Sequence, residues 1–369
     1  MKNLVRIILT LVIILTVFGA VMVFTASSTY SAEKFNSIYY LFKSHLWKVI
    51  GALTALVIVS MIPYEVYKKH SKYMLLGTIL ILVLTFFFAQ KFKGASRWID
   101  LGLIRFQPSE LAKLVLIIHL AAFIERKGEL IQDYKKGFRL ALVWIIIVCG
   151  LIFIQPNAST SMIIALIAFS ILFVGGARIK HIFFTAGTAV VTGLGALMLY
   201  PHSRSRILSF FDSFKSGGEP NIQVMQAKIG LGSGGFFGVG IGHSRQSDLF
   251  LPESYGDFIF SILGEETGFI GTFIVLFIYL ALFFIGLIIA KKAPDTFGQL
   301  LGFGFSFNII INAFINAGVV TGLLPTTGIT LPFISFGGTS IILFSMSIGV
   351  LVNIAKQTLH KQELTLYQV

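Results

Sequence analysis

The chain has 369 residues, of which 56% are hydrophobic and 12% are charged, and its mean hydropathy is +0.87. Soluble domains carry about 25% charged residues, so this composition excludes an ordinary soluble enzyme. The formal net charge of +13 could attract nucleic acid, but the positions of the basic residues indicate a membrane and no nucleic acid. A single cysteine, Cys149, excludes a disulfide framework and a cysteine-based metal site.

Ten apolar windows are candidates for membrane-spanning helices, which need about 20 mostly apolar residues. None of them alternates apolar and polar residues, and this favours helices over a β-barrel. We therefore predict an all-α polytopic membrane protein with a single integral domain over residues 1–369. The predicted spans are 4–24, 45–62, 72–89, 109–124, 139–154, 160–176, 181–200, 257–290, 298–318 and 337–355.

Basic residues near the span ends predict the orientation, because cytoplasmic loops are enriched in Lys and Arg. Short loops on one side hold most of them, which places both termini in the cytoplasm. The other basic residues concentrate in two predicted outer segments, 91–105 and 204–245. They could be solvated loop surface. As a set they suggest an anionic partner on the outer side, such as a lipid phosphate or diphosphate.

Residues 201–256 form a long predicted extracytoplasmic loop between spans seven and eight. Its prolines and glycines predict irregular backbone and short helices, and a loop of this length is usually functional. The glycine run 230–242 contains a G-x-G-x-x-G pattern, but no strand precedes it, so a dinucleotide site is rejected. Its amides could cradle an anion, or its glycines could allow close backbone packing.

Charged residues also occur at the predicted start of the fourth span. Pro108 suits a first helical turn, and Glu110 and Lys113 share one helix face, so they can pair. Ionisable groups in an apolar span usually line a polar cavity, although a glutamate at a helix start also suits the helix dipole. Arg97 adjoins Trp98 at the predicted interface, where it could anchor the protein or bind a phosphate.

Three carboxylates lie near the start of the predicted eighth span. Asp257 opens this span, where aspartate is a favoured N-cap, but no Glu or Gln three residues later completes a capping box. Glu265 and Glu266 lie two turns deeper, where an unpaired charge costs at least about 2.5 kcal/mol. We expect them to have partners, for which Lys113 or Arg97 could supply the cation.

The uncharged segment 322–340 contains two prolines and four glycines, which predict a re-entrant or outer loop packed on protein. A scaffold role is the simplest interpretation. Asn308, Asn312 and Asn316 precede it at intervals of four residues, so they share one helix face. We expect them to make interhelical hydrogen bonds.

Taken in order, these motifs resemble the SEDS family (shape, elongation, division and sporulation) of membrane proteins. The match runs from the first span to the last and depends on residues 94–113, 230–242, 251–268 and 324–340. The resemblance implies a ten-helix peptidoglycan glycosyltransferase of the EC 2.4 class. Such an enzyme polymerises lipid II, an undecaprenyl-diphosphate-linked disaccharide pentapeptide, on the outer face of the bacterial cytoplasmic membrane. The sequence Thr-Gly-Ile-Thr-Leu-Pro-Phe-Ile-Ser is closer to the division member FtsW than to the elongation member RodA.

The resemblance also implies roles for individual residues. Asp257 matches the family's essential aspartate, which we expect to act as the general base. The residues expected to bind substrate are Arg97, Glu110, Lys113, Glu253, Gln223 and Ser335. Those expected to have structural or cavity-lining roles are Glu265, Glu266, Gly234, Gly235, Pro332, Gly337 and Gly338.

The chain departs from the family pattern at a few positions. Asn157 replaces a common aspartate, which puts an acid, base or cation-binding role there in doubt, and Phe336 replaces a tyrosine. No metal cage is visible and no cofactor is predicted, while a divalent cation that assists the diphosphate is left open. The expected partners are a class B penicillin-binding protein, which is a transpeptidase, and other divisome or elongasome membrane proteins.

Two other functions compete with this one. A lipid II flippase would also need many spans and intramembrane charges, but such transporters often show repeated halves, and no repeat is evident here. A non-catalytic divisome scaffold would leave the buried carboxylates unexplained.

Overall fold

The computed structural model describes residues 1–88, 98–100, 105–198, 201–216 and 221–367. Arg97, a predicted substrate-binding residue, lies outside the described residues. The helices are α1 (Lys2–Phe35), α2 (Tyr40–Met61), α3 (Tyr64–Phe88), α4 (Pro108–Lys127), α5 (Arg139–Ile154), α6 (Ala158–Val174), α7 (Ile179–Leu197), α8 (Pro201–Ser216), α9 (Ile222–Gly234), α10 (Ile259–Lys292), α11 (Thr296–Val320) and α12 (Gly338–Tyr367). Two short strands, β1 (Ile99–Asp100) and β2 (Arg105–Phe106), pair antiparallel, with Ile99 opposite Phe106.

Eight helical segments in the described part are long and apolar enough to cross a bilayer. They contain α1, α2, α3, α5, α7, α10, α11 and α12. The apolar α6 is shorter, with 17 residues, and α4 has an apolar centre between charged ends. Each predicted span therefore falls on one helix, and the chain is an all-α, multi-pass membrane protein. The count of ten spans and their orientation stay predictions.

The interior of the bundle is built around α4. Every residue of α4 from 112 to 124 is buried, so this helix contacts protein on all sides. In the most apolar 18-residue stretch of each neighbouring helix, 61% of the residues of α11 and 83% of those of α12 are buried. In the corresponding stretch of α7 the share is 0%. Helix α7 thus stands at the periphery, where it packs against α6.

A polar network closes the end of the bundle that holds the predicted cytoplasmic loops. The Glu125 carboxylate, near the last turn of α4, pairs with Lys68 of α3 and accepts the Phe297 N–H at 3.3 Å. The Asp295 side chain caps α11 by accepting the Gly298 N–H at 2.8 Å. These contacts tie three helices together at the end opposite to Glu110.

The predicted outer loop 201–256 contains two short helices, α8 and α9, and a glycine run that packs directly on α10. A Cβ built on Gly234 would lie 2.0 Å from the carbonyl oxygen of Gly264. The Val239 and Gly240 N–H groups donate to the carbonyl oxygens of Glu265 and Glu266 at 2.9 and 3.1 Å. Close backbone packing is therefore one role of these glycines.

Helix α10 is broken at Gly268, a feature that the sequence did not lead us to predict. Gly268 has φ 68° and ψ −166°, a conformation available essentially only to glycine. Beyond the break, the Phe269 N–H donates to the carbonyl oxygen of Gly235 at 2.8 Å, and the Ile270 N–H donates to that of Phe236 at 3.2 Å. The glycine-rich loop thus supplies acceptors for helix N–H groups at the break.

We predict that Gly234→Ala destabilises the protein, because the new methyl group would collide with the α10 backbone. Overpacking of this kind costs about 1–3 kcal/mol. Gly195→Ala in α7 is the matched control, since no atom lies within 4 Å of its Cβ position. Thermal unfolding of both purified variants in detergent should show a lower midpoint for Gly234→Ala alone. Equal midpoints would contradict the close packing of α9 on α10.

Candidate functional site

Asp257 lies two residues before the first residue of α10. The helix begins at Ile259, its N-cap residue is Phe258, and the Phe258 side chain makes no capping hydrogen bond. Asp257 is half-buried, and a Cβ built on Gly328 would lie 3.3 Å from its Oδ2 atom. Because Gly328 also has φ 75°, glycine is the residue that suits this position beside the carboxylate.

Asn316 of α11 binds backbone carbonyls in the two segments that lie next to this carboxylate. Its Nδ2 group donates to the carbonyl oxygens of Asp257 and Ile329, each at 2.7 Å. One buried amide therefore joins the segment before α10 to the segment between α11 and α12, residues 321–337. We call the latter the 321–337 loop.

Ser335 and Pro332 bind the C-terminal part of the 321–337 loop to neighbouring segments. The Ser335 hydroxyl is buried, donates to the Gly256 carbonyl at 2.8 Å and accepts the Leu331 N–H at 2.7 Å. The buried Tyr279 hydroxyl donates to the Pro332 carbonyl. The hydroxyl donor of Ser335 is therefore engaged by the backbone next to Asp257, and its predicted contact with substrate stays a prediction.

The start of α12 ties this loop to the segment before α4. Gly337 and Gly338 lead into the helix, and the hydroxyl of the following Thr339 donates to the Arg105 carbonyl at 2.9 Å. The same hydroxyl accepts the Gln107 N–H at 3.0 Å. The backbone that precedes Glu110 is thereby fixed relative to the 321–337 loop.

Arg206 of α8 lies near Asp257, and the sequence analysis did not single out this arginine. Its Nη1 atom donates to the Thr326 carbonyl at 3.3 Å. Burial lowers the pKa of the Arg206 guanidinium, and the nearby negative charge of Asp257 acts in the opposite direction. The excess of basic residues in 204–245 was the available signal, but it could not distinguish Arg206 from its neighbours.

A cleft opens beside Arg206 between α8, α9 and the 321–337 loop. The space among its lining residues is about 270 Å³, part of which is open solvent. Its lining is Arg206, Ser209, Phe210, Ser213, Asn221, Val224, Gly322, Leu324, Pro325 and Thr326. A guanidinium, hydroxyl groups and an aromatic ring thus line one cleft.

The predicted pair of Glu110 and Lys113 is confirmed. The Lys113 Nζ atom lies 2.9 Å from Glu110 Oε2, and the two side chains are only 3% and 13% exposed. Lys113 also donates to Asn312 Oδ1 at 3.3 Å. Asn312 is one helical turn from Asn316, or about 6 Å along α11. Asn312 therefore makes the expected hydrogen bond between helices, whereas Asn316 binds loop carbonyls and Asn308 accepts from Asn312 within α11. The asparagine face relates the ion pair to Asp257.

Glu265 has partners other than the predicted Lys113. Its carboxylate is buried and accepts hydrogen bonds from the Ser244 and Ser233 hydroxyls and from the Arg245 and Gln246 N–H groups, the last two at 3.1 and 3.2 Å. Lys113 pairs with Glu110 instead, so of the two cations expected near Glu265 and Glu266 it is not the one bound to Glu265, and Arg97 lies outside the described residues. Backbone amides just after the glycine run do cradle an anion, and this anion is the protein's own carboxylate.

The remaining predicted site residues of this region are Glu266, Glu253 and Gln223. Glu266 is buried and accepts the Thr25 hydroxyl at 3.1 Å. Glu253 is half-buried. The burial of Tyr255 raises the pKa of the Tyr255 hydroxyl, and the negative charge of Glu253 raises it further. Gln223 is half-buried in the first turn of α9, beside the cleft residue Asn221, whose Oδ1 atom accepts the Gln223 N–H at 3.0 Å.

The two departures from the family pattern occupy defined positions. Asn157 is buried and its Nδ2 group donates to the Ser109 hydroxyl at 3.2 Å, next to Glu110. The Phe336 ring lies 3.6 Å from the Lys48 ammonium, a cation–π contact, and packs edge-on against Tyr255. Asn157 therefore links the starts of α6 and α4, and Phe336 links the 321–337 loop to α2 and to Tyr255.

The described residues thus gather a carboxylate, a guanidinium and a deeper lysine–glutamate pair at one end of the bundle. Such groups can accept a proton from a hydroxyl and stabilise a developing anion. Among the residues that the structure describes, no group of three or more His, Cys, Asp or Glu could hold a metal ion. Fold and site together define a multi-pass helical membrane protein with a polar cleft at one end.

Comparison with known proteins gives the family. A family model for FtsW, RodA and SpoVE, described as "Cell cycle protein", matches residues 5–360, so the chain belongs to this family, the SEDS family. It is 36% identical to the probable peptidoglycan glycosyltransferase FtsW of Geobacter sp. (strain M18), over 95% of this chain and 96% of that protein. The likeness to FtsW predicted from the sequence is therefore confirmed.

Two solved structures share the fold. A protein from a peptidoglycan synthase complex that coordinates polymerization and crosslinking matches with a TM-score of 0.77 and 23% identity, covering 97% of this chain and 98% of that chain. The rod shape determining protein RodA of Thermus thermophilus matches with a TM-score of 0.71 and 22% identity, over 95% and 96% of the two chains.

We predict that Glu110→Gln destabilises the protein more than the double variant Glu110→Gln/Lys113→Met. Removal of one partner leaves a buried, unpaired ammonium, which costs about 3–5 kcal/mol, whereas removal of both charges relieves that cost. Asp100→Asn is the control, because the Asp100–Arg105 pair is 3.8 Å apart and exposed, and such pairs contribute about 0–1 kcal/mol. The measurement is the thermal unfolding midpoint in detergent. A Glu110→Gln midpoint as high as that of Asp100→Asn would contradict a buried charge pair.

Proposed function

We propose that this protein polymerises lipid II into glycan strands at the outer face of the cytoplasmic membrane, with Asp257 as the general base. The chain is a peptidoglycan glycosyltransferase, the activity for which its curated FtsW relatives are named. The observation that carries the assignment of the base is the position of the Asp257 carboxylate. It lies beside Gly328 and close enough to Arg206 for its negative charge to act on the guanidinium.

The proposed step is a single displacement at the anomeric carbon of the donor sugar. The oxygen of an acceptor hydroxyl forms a bond to this carbon while the bond to the diphosphate breaks. The electron pair of the broken bond leaves with the diphosphate, and the proton of the hydroxyl passes to Asp257. Because no carboxylate nucleophile is used, the configuration at the anomeric carbon is inverted.

Cations near Asp257 would stabilise the charge that develops on the diphosphate. Arg206 is suited to this role, since its planar guanidinium can form paired hydrogen bonds with phosphate oxygens. Lys113 would contribute from one helical turn deeper, with its charge held in place by Glu110 and Asn312. Arg97, Glu253 and Gln223 are proposed as further substrate contacts from the sequence resemblance.

The orientation and partners are part of the same proposal. Residues 1–369 would form one membrane domain whose segment 201–256 faces outward, so that the cleft meets a lipid-linked donor outside the cell. A polymerase that makes uncrosslinked glycan needs a crosslinking enzyme close by. We therefore propose a class B penicillin-binding protein as partner, in line with the structural neighbour that belongs to a peptidoglycan synthase complex.

We predict that Asp257→Asn lowers polymerisation of labelled lipid II by about 100-fold or more, because the amide cannot accept the proton. The purified protein would be assayed in detergent with and without the partner, with product length resolved on gels. Asp248→Asn is the matched control, since its exposed carboxylate accepts the Thr29 hydroxyl at 2.8 Å, away from the cleft. Unchanged polymerisation by a folded Asp257→Asn protein would exclude this base. Lipid scrambling without polymer would favour the flippase.

We also predict that Arg206→Gln lowers kcat by about 10–1,000-fold, because it removes a donor aimed at the leaving diphosphate. The control is Arg204→Gln, which changes an exposed arginine two residues earlier on α8. Steady-state kinetics with labelled lipid II should separate kcat from KM for the two variants. An equal, small effect of both substitutions would show that Arg206 has no special role.

A further inference from the structure

The break in α10 divides this helix into two segments with different surroundings. The whole helix of 34 residues is about 51 Å long, well beyond the roughly 30 Å of a hydrocarbon core. The segment after Gly268 measures about 36 Å and can cross the core alone. Residues 259–266 are all buried, whereas Phe269, Phe273 and Phe277 are 58–61% exposed. The lipid-facing surface of α10 therefore begins at Phe269.

The loop that packs on the break lies at the same level. Residues 235–241, which we call the aromatic loop, supply the carbonyl oxygens that accept the N–H groups of Phe269 and Ile270. The Phe236 ring lies 5.9 Å from the Phe269 ring, and Phe269 in turn stacks on Phe273 at 6.1 Å. The aromatic loop thus extends the lipid-facing surface of α10 sideways.

The exposed side chains of the aromatic loop are apolar. Phe236 and Phe237 are 70% and 82% exposed, and Ile241 is 56% exposed. No residue from 229 to 242 carries a charge, and the first Lys or Arg beyond the loop is the exposed Arg245, which follows the exposed His243 by two residues. Aromatic rings with a neighbouring arginine are the composition that favours the boundary between acyl chains and headgroups.

We infer that the aromatic loop inserts Phe236, Phe237 and Ile241 into the outer leaflet of the bilayer, beside the lipid-facing start of α10. The occupant of this surface is lipid, because the surface is continuous with the exposed apolar face of a membrane-crossing helix. The loop is followed directly by the segment that binds Glu265. Insertion therefore also fixes the depth of the first segment of α10, which begins next to Asp257.

The test measures the surroundings of residue 237 in the full-length protein. The chain has one cysteine, so a Cys149→Ala background allows a single nitroxide label at Phe237→Cys. Phe277→Cys, on the exposed face of α10, is the lipid control, and the exposed Lys135→Cys is the water control. Each labelled protein is reconstituted in phosphatidylcholine–phosphatidylglycerol nanodiscs. Electron paramagnetic resonance then gives the collision rates with oxygen, which partitions into lipid, and with a water-soluble nickel chelate.

We expect the ratio of oxygen to nickel collisions at residue 237 to lie within about twofold of that at residue 277 and about tenfold above that at residue 135. A ratio at 237 equal to that at 135 would overturn the inference. A label that meets water in nanodiscs and becomes shielded only when the transpeptidase is added would overturn it in favour of protein docking. Ile241→Cys gives the same readout if the protein labelled at 237 does not fold.

Discussion

A charge inside an apolar helix bundle is stable only where another group of the protein neutralises it or binds it by hydrogen bonds, and this constraint shapes the end of the bundle around Asp257. The Lys113 ammonium is shared between Glu110 and Asn312, while the Glu265 carboxylate is held by hydroxyls and backbone amides. The two charges are thus satisfied in separate networks. Asp257 is fixed differently, since Asn316 binds its backbone carbonyl. The position of its carboxylate is therefore set by two segments of backbone, one before α10 and one in the 321–337 loop.

Glycine makes these networks compatible with dense packing. At Gly234 a methyl group would collide with the carbonyl of Gly264, and at Gly268 the backbone adopts a conformation that other residues avoid. The break at Gly268 would leave helix N–H groups without acceptors in a medium that offers no water. The glycine-rich loop supplies two carbonyl oxygens at that point, so the backbone requirement of the membrane is met by a segment outside the helix.

Features that depend on local periodicity were predictable from the sequence, and features that depend on tertiary contacts were not. The helical spans follow from apolar runs, and the contact between Glu110 and Lys113 follows from a spacing of three residues. The missing capping box at Asp257 agrees with a helix that begins two residues later, at Ile259, while the catalytic role of this aspartate stays a prediction. No local pattern, however, distinguishes Arg206 from the other basic residues of its loop. The described partners of Glu265 come from residues 19 to 32 positions earlier in the chain, so no local spacing could identify them.

The proposed lipid-linked donor would place a further demand on this architecture. Its diphosphate would stay at the membrane surface, so Asp257, as the proposed general base, would have to be held at a fixed height above the acyl chains as well as at the correct place in the fold. The two segments of α10 suit these tasks, because the segment after Gly268 exposes apolar side chains and the segment before it is enclosed by protein and follows Asp257. Gly268 allows the buried segment to follow the packing of α9 independently of the exposed segment. In the proposed function, the break in this helix would thereby relate Asp257 to the surface on which the substrate is anchored.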